Sequence, residues 1–440
     1  MGLSPHAHGH TVRGLRLPDP SDSAVSVPTP GAEVCESPRP LGRYLTEVFR
    51  LNEPSPAFIL VGPDETASNR LDDVFAATDR RWLLPTEPAD ENLCPRGDVF
   101  EILSEHTCEG WLEGYLLTGR HGLFSCYEAF MPIVDSMVSQ HAKWLKVACE
   151  VPWRRPIPSL NVLLTSHVWR QDHNGFSHQD PGFVDHVLNK RPEIVRAFFP
   201  PDANCLLHVA DLCLRSRDRV NVIVCGKQPS PQWLTAEQAA EHVESGVGIW
   251  PWAGTERHFP DREPDLVMAC CGDVPTVETL AAVTILRDLL PDLSIRVVNV
   301  VDLAKLRRKS EFSGGLDDAT FDMLFTRDRP VVIAFHGYPG LIHRLVYKRH
   351  NHAGFHVHGF QEEGSTTTPF DMLVRNDLDR FHLAANAARH AGLHSGVAAV
   401  VRDRMHSMIL KHRRHVVDHG VDLPEVTEWV WSADGGGAGT

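Results

Sequence analysis

The chain has 440 residues, 42% of them hydrophobic, which is enough for two or three domains with their own cores and excludes a disordered chain. A formal charge of −14 and a pI near 6.0 argue against nucleic acid or an anionic membrane surface as partner, so any anionic ligand needs a local cationic pocket. Ten cysteines lie mostly in apolar segments and form no CxxC pair, and no apolar run approaches the roughly 20 residues of a membrane span; a soluble, reduced, cytoplasmic protein is expected.

Residues 1–40 carry Pro5, Pro18, Pro20, Pro28, Pro30, Pro38 and Pro40 with little apolar periodicity, the composition of a linker. From Leu41, LGRYLTEVFRLN has helical spacing, and AFILVGPDET reads as a buried strand running into a turn. Ser68, Asn69 and Arg70 follow that strand as a polar cluster, either the edge of a site or a helix start. Farther on, Glu105, Glu109 and Glu113 at four-residue spacing share one face of a helix, which is either simply solvated or partly buried. Cys108, Trp111 and Leu112 beside them predict that part of this face is buried, and a buried glutamate usually has a chemical task.

SLNVLLT is apolar and β-prone, the pattern of a buried parallel strand, and SHVWRQDHNGFSHQDPGF leaves its end. That stretch is too polar for a core element. In open α/β sheets ligands sit beyond the carboxyl ends of strands, so it is read as a site for a polar, phosphorylated ligand. A metal site on its three histidines and a purely structural loop are the competing readings. The tight HExxH or CxxC spacing of zinc sites is absent, and no metal ligand is assigned. ANCLLHVADLCLRS then reads as a helix and VNVIVCG as a buried strand, with Lys227 just past its end.

Between Pro229 and Pro264 the composition changes, strand, turn and helix patterns then resume to about Arg349, FHVHGFQEE is strand-like, and Phe370 to about Gly420 is mostly helical. The expected class is α/β in two domains, a parallel-sheet domain over 41–235 followed by a second α/β domain over 236–440. No P-loop or GxGxxG fingerprint occurs.

Taken together, GPDETASNR, LSEHTCEGWLEGYLLTGRHG, SHVWRQDHNGFSHQDPG and GKQPSPQWLT resemble the phosphoketolases, thiamine-diphosphate enzymes related to transketolase, over essentially the whole chain. The resemblance implies a pyrimidine-binding domain followed by a transketolase C-terminal-like domain. It also implies that the family's first, diphosphate-binding domain, with its GDG metal motif, is not among these residues, so that the chain is a truncated form. Thiamine diphosphate and Mg2+ are the implied cofactors, with the metal ligands on that other domain.

By the same resemblance Glu105 bonds the aminopyrimidine ring, Tyr127 and Phe130 border it, and Glu65 lies near the thiazolium side. Ser68, Arg70, Tyr127, Gln171, His173, Asn174 and Lys227 line the sugar-phosphate channel, and His178, with His173, acts near the reacting carbon. Cys149 stands where the family commonly has an arginine, which implies weaker phosphate binding. The implied reaction is phosphorolytic cleavage of xylulose 5-phosphate, fructose 6-phosphate or both to acetyl phosphate and an aldose phosphate. Sugar phosphate and inorganic phosphate are then the small-molecule partners. A homodimer, or a complex with a chain carrying the diphosphate-binding domain, is the expected assembly, and the isolated chain is expected to be inactive. A non-catalytic sugar-phosphate-binding module is the alternative.

Overall fold

The computed structural model describes residues 13–53, 57–63 and 66–432. The chain divides into two compact units. The first comprises residues 1–26, 34–167 and 182–243, and the second 27–33, 168–181 and 244–440.

The first unit runs β1 (Val34–Glu36), α1 (Pro38–Asn52), β2 (Phe58–Gly62), β3 (Arg80–Arg81), β4 (Leu93–Cys94), β5 (Val99–Glu101), α2 (Glu105–Leu117), β6 (His121–Tyr127), α3 (Asp135–Ala148), β7 (Leu160–Ser166), α4 (Gly182–Val187), β8 (Val195–Phe198), α5 (Ala203–Arg215), β9 (Val220–Val224) and β10 (Pro229–Pro231). Eight of these strands form one sheet in the order β4-β3-β5-β2-β6-β7-β9-β8, with every pairing parallel. Strands β2, β7 and β9 are buried at every position, which is why they read as unbroken apolar runs rather than alternating ones. Because all pairs are parallel, the carboxyl ends of β2, β6, β7 and β9 share one edge of the sheet.

Proline-rich composition does not preclude order in the described part of residues 1–40. Arg16 and Asn52 exchange two hydrogen bonds, as do Val25 and Asn204, so two buried asparagines pin this stretch to the first unit. Strand β1 pairs antiparallel with β10, Cys35 opposite Ser230 and Glu36 opposite Pro229.

Helix α6 (Ala236–Ser245) crosses into the second unit, which continues β11 (Val247–Ile249), β12 (Leu266–Cys271), α7 (Asp273–Leu289), β13 (Ile295–Val300), α8 (Asp318–Phe325), β14 (Val331–Phe335), α9 (Pro339–Val346), β15 (Phe355–His358), α10 (Pro369–Arg375), α11 (Arg380–His390), α12 (Ser395–His419) and α13 (Pro424–Thr427). Its sheet has the order β11-β13-β12-β14-β15, parallel except for the antiparallel edge strand β11. In its core Arg380 of α11 grips Glu278 of α7 with Nη2 at 2.8 Å and Nε at 2.9 Å, both side chains being almost fully buried. Both units are α/β, as expected. Among the described residues no helix is long and apolar enough to cross a membrane.

Candidate functional site

Three strand ends of the first unit converge. The turn after β2 carries Ser68, β6 ends on Tyr127, and the chain leaving β9 reaches Lys227. The Lys227 ammonium donates to Ser68 Oγ at 2.9 Å and to Tyr127 Oη at 2.9 Å, and those two hydroxyls bond each other at 2.7 Å. Lys227 is only 8% exposed, so its charge is shielded from bulk water and its donors converge with two hydroxyls. A shielded ammonium beside hydroxyls is suited to a phosphate or a polyol oxygen.

Arg70 belongs to the same group. Its Nη1 donates to the Ser68 carbonyl at 3.2 Å and its Nε to Glu36 Oε1 at 2.8 Å. Between Ser68 and Arg70, Asn69 is fully buried and ties the turn to the sheet: its Nδ2 donates to Ser125 Oγ of β6 at 2.9 Å, and Thr165 Oγ1 of β7 donates to its Oδ1 at 2.5 Å. Burying an amide that satisfies both neighbouring strands fixes the turn and so fixes Ser68. The sequence places Asn69 in a polar cluster but does not reveal its anchoring role, and it gives no sign of Glu36 at all. For Asn69 the available signal is an amide between two functional candidates.

Tyr127 and Phe130 stack with rings 4° from parallel and centroids 6.0 Å apart, presenting aromatic faces at the end of β6. Glu105 is the first residue of α2, capped by Ser104, and it is half-buried. Of the three glutamates on this partly buried face, Glu105 is not the enclosed one. The buried glutamate of this helix is Glu109, which is fully enclosed on the face shared with Cys108, Leu112 and Leu116. Among the described residues neither Glu109 oxygen has a hydrogen-bond partner, and burial, then the neighbouring Glu113 charge, pushes its carboxyl up to about 8. Glu113 in turn pairs with the buried His141 at 2.5 Å. Glu65 lies outside the described residues.

The remaining predicted residues, Gln171, His173, Asn174 and His178, fall in the segment assigned to the second unit. Gln171 is buried and organises that loop. Its carbonyl accepts from the Asn174 and Gly175 amides at 3.2 and 3.1 Å and from Gln179 Nε2 at 2.9 Å, while its side chain accepts from Asn174 Nδ2 at 2.7 Å. Gly175 turns the chain at φ +75°, a backbone conformation glycine adopts without strain. His173 is exposed, and His178 Nδ1 lies 2.9 Å from Ser177 Oγ. The predicted residues therefore form two local groups, one in each unit. Cys149 is exposed at the end of α3.

A family model described as D-xylulose 5-phosphate/D-fructose 6-phosphate phosphoketolase matches residues 39–216, and one described as the XFP C-terminal domain matches residues 227–431. A probable phosphoketolase of Bradyrhizobium diazoefficiens is 62% identical over 432 residues, covering 98% of this chain and 54% of that protein. One from Chlorobaculum tepidum is 56% identical over 433 residues, again 98% of this chain and 54% of that protein. The chain thus spans about half the length of the curated relatives it matches. In fold it is similar to the Pichia stipitis transketolase solved with sedoheptulose 7-phosphate, at a TM-score of 0.62 and 15% identity over 87% of this chain and 49% of that one. It is also similar to a split gene transketolase solved as an inactive β4 tetramer, at a TM-score of 0.51 and 15% identity, covering 81% of this chain and 98% of that one.

Proposed function

Because the chain belongs to the D-xylulose 5-phosphate/D-fructose 6-phosphate phosphoketolase family, we propose that it carries the sugar-phosphate and aminopyrimidine side of a thiamine-diphosphate-dependent phosphoketolase. The reaction is cleavage of xylulose 5-phosphate, fructose 6-phosphate or both with inorganic phosphate, giving acetyl phosphate, an aldose phosphate and water. The observation that carries this reading is the shielded Lys227 ammonium bonded to Ser68 and Tyr127, with Arg70 beside them. It supplies the local cationic pocket that a chain of charge −14 needs for an anionic substrate.

The residues present fit the aminopyrimidine end of the cofactor. The near-parallel Tyr127 and Phe130 rings offer a stacking surface. The Glu105 carboxylate accepts no hydrogen bond among the described residues, which leaves its oxygens available to hold a proton against a ring nitrogen. When bound, thiamine diphosphate supplies a carbon nucleophile next to a positively charged ring nitrogen. Lys227, Ser68 and Arg70, in the first unit, bind and orient the sugar phosphate; the family resemblance alone assigns polar contacts to Gln171, Asn174 and His173 and a proton-moving role to His178. No GDG motif occurs in the 440 residues, so the diphosphate and its Mg2+ are assigned to a cradle from other sequence.

A partner carrying that cradle, in a homodimer or a mixed complex, fits the exposed apolar side chains of the first unit. Leu103, Trp111 and Trp153 are 80, 54 and 67% exposed. All ten cysteines are free, in keeping with a reducing, cytosolic setting.

The test is acetyl phosphate formation by this chain mixed with a separately expressed diphosphate-binding domain, thiamine diphosphate and Mg2+. Glu105→Gln is expected to lower turnover by about 10²–10⁴ while leaving the fold and the Michaelis constant nearly unchanged. Retained turnover removes Glu105 from the mechanism. No acetyl phosphate from the wild-type mixture, with fructose 6-phosphate still bound, overturns the catalytic reading in favour of a binding module.

A further inference from the structure

We propose that Glu36 is the positioning residue that aims the Arg70 guanidinium at the substrate phosphate. The inference rests on the reading of Arg70 as a phosphate ligand and extends it to a residue in the proline-rich segment.

Glu36 divides its carboxylate between two arginines. Oε1 accepts from Arg70 Nε at 2.8 Å and Oε2 from Arg39 Nε at 2.8 Å, and Arg39 Nη1 continues to Asp72 at 3.1 Å. The Arg70 guanidinium is thus held at Nε by Glu36 and at Nη1 by the Ser68 carbonyl, and Nη2 has no partner among the described residues. Two of its three nitrogens are fixed and the third is presented. Burial raises the Glu36 carboxyl, but the bonds from Arg70 and then Arg39 outweigh it and hold the group below the usual carboxylate range, so it is ionised at neutral pH.

The holder is itself held. Glu36 lies in β1, opposite Pro229 of β10, and β10 begins two residues after Lys227. One small strand pair therefore fixes both the carboxylate that aims Arg70 and the chain leaving Lys227.

The Arg70 backbone argues that its side chain is kept for its guanidinium. It sits at φ +63°, left-handed space that costs a non-glycine residue about 1–3 kcal/mol. The turn is fixed by Arg70 N to the Ala67 carbonyl and Leu71 N to the Thr66 carbonyl, each at 3.0 Å. Helix α1 approaches so closely that a Cβ on Gly42 would lie 3.2 Å from the Arg70 carbonyl oxygen. The Arg70–Glu36 ion pair, its side chains still 26 and 23% exposed, contributes only about 0–1 kcal/mol, too little to offset such strain, and glycine or asparagine would make the turn more cheaply.

Positioning and simple charge predict opposite signs. Arg39, Arg70, Glu36 and Asp72 are two cations and two anions, so removing the Glu36 charge would tighten anion binding by field alone. Loss of aim would weaken it.

The experiment uses the full chain labelled with 15N. The Arg70 Nε–H resonance is identified by its loss in Arg70→Lys, and the affinities for fructose 6-phosphate and inorganic phosphate are measured by titration. The Nε–H is expected to be protected from solvent exchange in the wild type and in Glu36→Gln, which keeps the acceptor, and to exchange freely in Glu36→Ala. Glu36→Ala should bind fructose 6-phosphate about tenfold more weakly and Glu36→Gln within about twofold of the wild type, a loss of about 1.4 kcal/mol restored by the conservative variant. Equal or tighter binding by Glu36→Ala, or an Nε–H equally protected in it, overturns the proposal. Arg70→Ala separates the two levels: if its affinity is unchanged, or the wild-type Nε–H does not shift at saturating ligand, the phosphate reading of Arg70 fails. If Arg70→Ala weakens binding and Glu36→Ala does not, only the role of Glu36 falls.

Discussion

Lys227 meets Tyr127 in two ways, its ammonium lying 2.9 Å from the phenolic oxygen and 4.3 Å from the ring centroid. The ring face and the hydroxyl both stabilise the cation, so Lys227 is oriented before any ligand arrives. Lys227→Met should therefore lose the charge without opening a cavity. In the reconstituted mixture proposed above, the Michaelis constant for fructose 6-phosphate is expected to rise about 30- to 100-fold, corresponding to about 2–3 kcal/mol for a charge-assisted bond. Tyr127→Phe, which keeps the ring, should cost less than about tenfold. If the two variants are equally impaired, the hydroxyl rather than the charge dominates the site.

Glu109 makes stability depend on pH in a direction opposite to that of most carboxylates. Its folded value, pushed up to about 8, lies above the ordinary glutamate value, so between about pH 4.5 and 8 the folded state holds a proton that the unfolded state has released. The stabilisation is complete below that window and is lost as pH rises through 8. Glu109→Gln should gain on the wild type by up to about 1.4 kcal/mol per pH unit across the window and level off above it. Urea unfolding of both proteins at pH 5, 6, 7, 8 and 9 measures the difference, and a difference constant with pH would mean that Glu109 is solvated.

The Glu278–Arg380 pair gives a third expectation, confined to the second unit. Glu278 also accepts the Arg380 backbone amide at 2.8 Å, so removing the arginine strands a buried carboxylate. Arg380→Ala should cost about 3–5 kcal/mol, whereas the double change of Glu278 and Arg380 to methionine should recover most of it. Thermal or denaturant unfolding of the single and double variants decides. A double variant no more stable than Arg380→Ala would show that the pair is needed for more than mutual neutralisation.

Much of this architecture is legible in the residues because parallel strands buried on both faces read as continuous apolar runs. Strands β7, β9, β12 and β14 follow directly from LNVLLT, VNVIV, LVMACC and VVIAF. The sites follow from the same logic: once the strands are parallel, Ser68, Tyr127 and Lys227 must emerge at one sheet edge although 159 residues separate the outer two. What is not legible depends on pairing without a local signature. Neither Val34–Glu36 nor Pro229–Pro231 is long enough to show a strand pattern, yet their pairing brings Glu36 to Arg70, 34 positions away. Helix α2 fails differently. Glu109 is buried with Cys108 and Leu112, on the face expected to be partly buried, but Trp111 and Leu117 are exposed and no periodicity distinguishes Glu109 from Glu105 or Glu113.

The assignment of residues 168–181 to the second unit, between stretches of the first, constrains how this chain can be made and cut. On the ribosome, the first unit lacks β8, β9 and α5 until well after that segment has been synthesised, and the segment must wait for the unit it joins. A fragment that ends at residue 243 would carry it without its unit, and one that begins at residue 244 would lack it. The polar loop that contains Gln171 and His178 is therefore a point at which the two units cannot be separated by a single cut, and protease nicking there should impair both.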